Sequence, residues 1–270
     1  MSGGDPSCTD PHPAVVVDRL GSVARVTLAR PEKANAMDAE ITDALLGAVL
    51  LLRNDSDVHA MVLTGQGGAF SAGGDFETIR AMRDNRSLRD TVLAAHQELF
   101  WLMTRLPFPT VAAVNGAAVG AGVTVALLCD LVVMAEDTFL SDPRVSLGLL
   151  DGAGGLLLWP LLTSLSAAKE HLLLGDRVSG VEAHRLGLVN RAVPAPDVLE
   201  EALQLAKRLS ALPPQAVRQT RQLLNFHIDR VAALLPQCAH AESECFDSDE
   251  HRVLLERLSA RVAAKNVRTP

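Results

Sequence analysis

Two stretches of the chain expose backbone rather than side chains: Gly65-Gln-Gly-Gly-Ala-Phe-Ser-Ala-Gly-Gly-Asp75 and Val114-Asn-Gly-Ala-Ala-Val-Gly-Ala-Gly-Val123. In each, an apolar run ends, small residues turn the chain, and a helical pattern follows. The first turn of a helix carries N–H groups with no partner and the positive end of the helix dipole, so each stretch is a potential anion site. Should the two meet, one N–H from each would grip a single oxygen that becomes negative during reaction, which is an oxyanion hole. The competing account of either loop alone is that its glycines only allow close helix–strand packing. Neither loop has the spacing of G-x-G-x-x-G or G-x-x-x-x-G-K-[ST], so dinucleotide and P-loop chemistry are excluded.

The elements that must position these loops follow from hydrophobic period. Val15 to Val17 and Val23 to Leu28 flank Gly21-Ser22 as a hairpin. Behind a capping Asp38, Ile41, Ala44, Leu45, Ala48, Val49 and Leu52 recur at helical spacing. Val58 to Thr64 is a strand, a helix is expected from about Asp75 to Met82, and a longer one carries Leu88, Val92, Ala95, Leu99, Leu102 and Leu106 on one stripe until Pro107 and Pro109. His96 lies off that stripe and is expected on the surface. The unit repeats as strand Thr110 to Val114, turn Asn115-Gly116, a helix start near Gly120, and strand Leu131 to Ala135. Ser179 and Glu182 have capping-box spacing, Gly187 ends that helix, and Leu188 to Val193 follows. Strands alternating with helices predict an α/β fold with a largely parallel sheet. The expected organisation is an N-terminal arm over 1–13, a core over 14–195, and a helical region over 196–270 broken at Pro213-Pro214 and Phe246 to Glu250, which covers a sheet edge or joins subunits.

Composition narrows the function. The 270 residues carry a net charge of -7 and only 3% aromatics, which removes the basic patch and the stacking platform of a nucleic-acid binder. Cys8, Cys129, Cys238 and Cys245 show no C-x-x-C pairing, so a reducing, cytoplasmic setting and no metal site are expected. Residues 1–13 lack the cationic start and apolar run of a signal peptide. The apolar stretch from Val111 to Ala135 is interrupted by Asn115-Gly116 and Asp130 and has no basic flank, so it is expected to be buried, not membrane-spanning.

Several motifs now stand in order: Arg30-Pro-Glu-Lys-Ala-Asn-Ala36, Ala69-Phe-Ser-Ala-Gly-Gly-Asp75, Ala113-Val-Asn-Gly116, Gly120-Ala-Gly122, Cys129-Asp130, Gly152-Ala-Gly-Gly155, and Gly175-Asp176 leading to Glu182-Ala183 and Gly187-Leu-Val-Asn-Arg191. In order and spacing they resemble the enoyl-CoA hydratase/isomerase (crotonase) superfamily. The resemblance implies a spiral of ββα units with a C-terminal helical trimerisation region, assembled as a homotrimer or a hexamer. It implies an acyl-CoA substrate, with coenzyme A as part of the thioester and no separate cofactor. The oxyanion donors would be the N–H groups of Gly74 and Ala121. Lys33, Ala34 and Ala36, with Ala72, Asp75 and Phe76, would line the coenzyme A groove. Lys33 would lie near the nucleotide phosphates, or stand as a solvated loop charge.

The chain departs from the hydratase pattern where protons move. Typical hydratases use two glutamates, and here Thr124 and Arg144 occupy those positions. A threonine hydroxyl is a poor base and an arginine stays protonated, so neither replaces a carboxylate. Asp151, where hydratase-like members usually have proline and members resembling dihydroxynaphthoyl-CoA synthase carry an acid, is either the acid/base or the cap of the helix that starts at Gly152. Arg144 would pair with Asp142 or Asp151, or hold a carboxylate on the acyl group. Ser71, Ser141 and Ser146 lack a nucleophile-elbow context, so a hydrolase triad is excluded. Two functional classes remain: an acyl-CoA enzyme (hydratase by label, or a carbon–carbon lyase, hydrolase or isomerase) and a non-catalytic acyl-CoA-binding subunit.

Overall fold

The first hairpin pairs β1 (Val15–Leu20) with β2 (Val23–Leu28) antiparallel, turned by Gly21 at φ +66°. The computed structural model describes residues 13–266, so the expected arm over 1–13 lies outside the described residues except for Pro13. Helix α1 (Ala39–Arg53) starts where expected because Asp38 accepts the Ile41 N–H at 3.1 Å. Then come β3 (Ala60–Gly65), β4 (Ala69–Ser71), α2 (Phe76–Asp84) and α3 (Arg86–Thr104). The pattern recurs as β5 (Thr110–Val114), β6 (Ala117–Val119) and α4 (Ala121–Leu127). A third turn is β7 (Leu131–Ala135), β8 (Phe139–Ser141), α5 (Gly155–Leu162) and α6 (Leu165–Leu174). It closes with β9 (Val178–Ser179), α7 (Gly180–Arg185) and β10 (Arg191–Val193). The successive units follow the expected spiral of ββα units.

After the first hairpin, whose two strands both join the larger sheet, each successive pair of strands (β3 and β4, β5 and β6, β7 and β8, β9 and β10) divides between two sheets. The larger has the order β1-β2-β3-β5-β7-β10, parallel except for the first hairpin, and the smaller has the order β4-β6-β8-β9. The smaller sheet went unforeseen. Its strands are two or three residues long, below the length at which a period shows. The apolar stretch after Val111 is thus divided among β5, β6, α4 and β7, and no described helix is long and apolar enough to cross a membrane.

The central strands β3, β5 and β7 of the larger sheet are buried on both faces, as parallel strands covered on each side are. In β3, Met61 and Leu63 face the main core with Ile41, Leu45, Phe100 and Met103, while Ala60 and Val62 face a second core. That second core is supplied by α8 (Val198–Ser210) through Val198, Ala202, Leu205 and Ala206. The first helix past residue 196 therefore covers a sheet face, not an edge. Three helices follow among the described residues: α9 (Pro214–Ala232), α10 (Leu235–Phe246) and α11 (Asp249–Asn266). The interruptions at Pro213-Pro214 and after Phe246 fall where expected, and a further break near Ala233 separates α9 from α10.

Candidate active site

Strands β4 and β6 are parallel neighbours, with Ser71 opposite Ala118, so the chain leaves both at the same edge of the smaller sheet. The two glycine-rich loops meet there. Gly73, at φ +83°, lies so near the β6 exit that a Cβ on it would be 3.0 Å from the Val119 carbonyl carbon and 3.6 Å from the Ala121 nitrogen. Gly74 and Ala121 line one compact cavity of about 130 Å³. Neither the Gly74 N–H nor the Ala121 N–H, first in α4, donates to an acceptor among the described residues.

Residues 33–37 are stitched alongside. Ala72 donates to the Ala34 carbonyl at 2.9 Å and Met37 to the Gly73 carbonyl at 2.7 Å. The Asn35 carboxamide donates to the Gln66 and Ala69 carbonyls, and the Ser71 hydroxyl donates to the Asn35 carbonyl. Ala72 and Asp75 line the cavity, Asp75 capping α2 by accepting the Thr78 N–H. Ala36 is buried beside them, and Phe76 is half-buried at the start of α2. Lys33 points to solvent with its Nζ 3.8 Å from Asp38. Ser71 is spent on this scaffold, and Ser141 and Ser146 donate to the Gly175 and Pro143 carbonyls.

The other wall is electrostatic. Arg144 lines the cavity, but its Nε is 3.2 Å from Asp142, its Nη1 pairs with Oδ1 of Asp151, and its Nη2 reaches the Thr124 hydroxyl at 3.4 Å. Burial opposes its charge, yet Asp142 and Asp151 outweigh that and hold it protonated. Asp151 is 2% exposed and is not among the cavity-lining residues. Its Oδ1 also accepts the Ala153 N–H at 2.7 Å and its Oδ2 accepts the Thr124 hydroxyl at 2.9 Å. No helix starts at Gly152: α5 begins at Gly155 with Gly154 as its N-cap and no side-chain cap bond, so Asp151 is not a helix cap but braces the turn before α5 through the Ala153 N–H. Thr124 is buried against a small adjoining void that also touches Met37, His96 and Ala121.

Two side chains at the cavity escaped sequence reasoning. His96 is not a surface residue: it lines the cavity, and its Nε2 is buried without a hydrogen-bond partner. The single-stripe expectation failed because α3 is covered on two sides, by the main core through Leu99 and Phe100 and by Met82, Leu149 and Phe246 through Val92 and Leu93. Burial, with Arg144 adding to it, lowers the pKa of His96 to about 4, so the imidazole is neutral. The second is Glu242 on α10, 8% exposed and also lining the cavity. Burial raises its carboxyl to about 8, with Asp151 pushing the same way and Arg144 opposing. A signal existed: Leu235, Glu242 and Phe246 are the buried residues of α10, so a carboxylate occupies an apolar-stripe position.

An α/β spiral of this strand order, with two glycine-rich loops meeting at one mostly apolar cavity, is the fold of the crotonase superfamily. Residues 18–254 match the family model described as enoyl-CoA hydratase/isomerase, and the chain belongs to that family. It is 40% identical over 207 residues to a putative enoyl-CoA hydratase of Thermus thermophilus, covering 76% of this chain and 81% of the relative. It is 30% identical over 241 residues to the short-chain-enoyl-CoA hydratase of Clostridium acetobutylicum, covering 88% and 91%. Among solved structures, an enoyl-CoA hydratase/isomerase from Mycobacterium paratuberculosis superposes with a TM-score of 0.88 at 37% identity, covering 92% of this chain and 100% of that one.

Proposed function

We propose that the protein binds an acyl-CoA thioester and stabilises the enolate formed at its carbonyl with the Gly74 and Ala121 N–H groups. The observation that carries this is the pair of unpartnered amides on one cavity. Removing the α-proton of a thioester puts charge on the carbonyl oxygen, where two preorganised donors act most strongly. The apolar wall of Met37, Ile79, Met82, Leu93, Leu149 and Phe246 suits an acyl chain and keeps the local dielectric low.

Ordinary hydration is disfavoured, because Thr124 and Arg144 stand where carboxylates are needed and both are tied to Asp151. In this reading Asp151 positions Arg144 and α5, and the reaction is a lyase, isomerase or carbon–carbon hydrolase step through the same enolate. Lys33 would meet the coenzyme A phosphates, a reading supported by its exposure at the outer end of the 33–37 segment. A trimer or hexamer fits the exposed Leu212, Leu223, Leu224 and Phe226 of the helical region. Free Cys129, Cys238 and Cys245 support a reducing, cytoplasmic setting.

Incubating the protein in deuterium oxide with crotonyl-CoA, branched and dicarboxylic acyl-CoAs tests the proposal. Deuterium entering the α-carbon is the expected result. Tight binding of several thioesters with no exchange on any of them would instead support the second class, a non-catalytic acyl-CoA-binding subunit.

A further inference from the structure

The site holds three buried carboxylates against one guanidinium. Arg144 is taken up by Asp142 and Asp151, so its charge is already met before Glu242 is counted. Asp142 does not line the cavity, both oxygens of Asp151 are engaged, and Asp75 is a helix cap. Glu242 differs from the other two buried carboxylates and from Asp75. Its Oε2 accepts the Gly152 N–H at 2.9 Å, which fixes the carboxylate, while its Oε1 has no hydrogen-bond partner among the described residues and is not sealed from the cavity. A Cβ at Gly152 would collide with that carboxylate and with Ala239, so glycine is what lets α10 come this close.

The geometry points to Glu242, a residue of the C-terminal helical region, as the group that carries the proton at this site in place of the two missing glutamates. The inference rests on the thioester reading above and adds to it. In the step, Oε1 takes a proton from the α-carbon: the C–H bond breaks, its electron pair enters the new carbon–carbon double bond, and the thioester oxygen takes the negative charge against Gly74 and Ala121. With a β,γ-unsaturated thioester the charge spreads to the γ-carbon. Glu242 returns its proton there, a γ C–H bond forms, and the double bond settles at α,β. Atoms and charge balance with no water and no oxidant. One proton carrier in an apolar pocket thus serves transfer between carbons, whereas water addition needs a second group to orient the water.

The environment supports that role. Burial and Asp151 bring the Glu242 carboxyl to about 8, close to the range where a group both accepts and returns a proton. His96, an unpartnered titratable side chain on the cavity, is held near 4 and is a poor proton acceptor at neutral pH. The thiols of Cys238 and Cys245 on the same helix are pushed up and stay neutral.

The test uses the full chain with 3-hexenoyl-CoA, followed by formation of the conjugated 2-enoyl thioester, and with hexanoyl-CoA in deuterium oxide, followed by α-exchange. Glu242→Gln keeps an acceptor for the Gly152 N–H. It is expected to lower kcat about 10²- to 10⁴-fold while hexanoyl-CoA affinity changes little. The wild-type rate should rise with pH through about 8, and the residual rate of the variant should lose that limb. Turnover undiminished in Glu242→Gln, or abolished by His96→Asn alone, overturns the assignment to Glu242 and leaves the thioester reading standing. Wild-type protein that binds hexanoyl-CoA without exchange or isomerisation overturns both. Should Glu242→Gln fail to fold, Glu242→Asp retains the charge with a shorter reach, and a kcat equal to wild type would overturn the proposal.

Discussion

The Thr124 hydroxyl donates to Oδ2 of Asp151 at 2.9 Å. The residue at the first expected glutamate position is thereby bonded to the carboxylate that the sequence offered as a substitute. With Arg144 and the Ala153 N–H on Oδ1, Asp151 has no oxygen left for a substrate. The consequence is a division of labour among acids: Asp151 holds the wall, and Glu242 faces the cavity.

Asp151→Asn should therefore cost stability more than chemistry. Removing one partner of a buried ion pair typically costs about 3–5 kcal/mol, and the lower end is expected because Asp142 still meets Arg144. Urea unfolding measures it. Asp151 also raises the Glu242 carboxyl, so its neutralisation should shift the pH–rate limb toward acid. A rate abolished at every pH would assign chemistry to Asp151 instead.

Gly73→Ala should disable the paired amides. The position has φ +83°, and its new Cβ would press on the Val119 carbonyl and separate the loops. A stability loss above about 1 kcal/mol follows from the backbone alone. Losing one oxyanion donor costs about 10²- to 10³-fold in kcat. Calorimetric melting and α-proton exchange would separate the two effects.

Stability should depend on pH in two opposed ways. The folded pKa of Glu242 is raised from 4.5 to about 8, so its contribution is full below 4.5 and is lost as pH rises through about 8. The folded pKa of His96 is lowered from 6.5 to about 4, so its contribution is present above 6.5 and is lost as pH falls through about 4. In His96→Asn, Tm should fall more steeply as pH rises from 4.5 toward 6.5; in Glu242→Gln, the decline toward pH 8 should flatten. Melting series of both variants against wild type check the signs, and superimposable curves would refute the buried-group assignment.

Arg221→Ala should loosen α9 from the core. Arg221 is 7% exposed, binds Asp130 at 2.7 Å, and donates to the Met103, Thr104 and Leu106 carbonyls at the end of α3. Its loss removes the charge partner of Asp130, which keeps only its bonds from Thr110, and leaves the Met103 and Leu106 carbonyls without this donor while Thr104 keeps Asn225, so about 3 kcal/mol is expected by denaturant unfolding. Arg221→Lys should recover little, since an ammonium cannot reproduce the fork.

By itself the sequence determined what depends on neighbours a few residues apart. Asp38 capping α1, Ser179 accepting the Glu182 N–H, and the glycine turns before α2 and α4 are interactions within one turn of chain, and their residue types report them directly. The capping box is half made, since the Glu182 carboxylate turns to Arg185, a choice between two local partners. The family motifs and the two bare loops were legible for the same reason.

Tertiary structure alone decided how the loops and acids meet. Strands as short as β4 and β6 acquire meaning only through parallel partners far along the chain, as Ser71 finds Ala118. Gly152 and Glu242 are 90 positions apart, and nothing local to Glu242 names its partner. Whether a carboxylate is a solvated charge or a proton carrier is set by burial and by the charges packed around it. Those are properties of a folded interior, to which each segment contributes one wall.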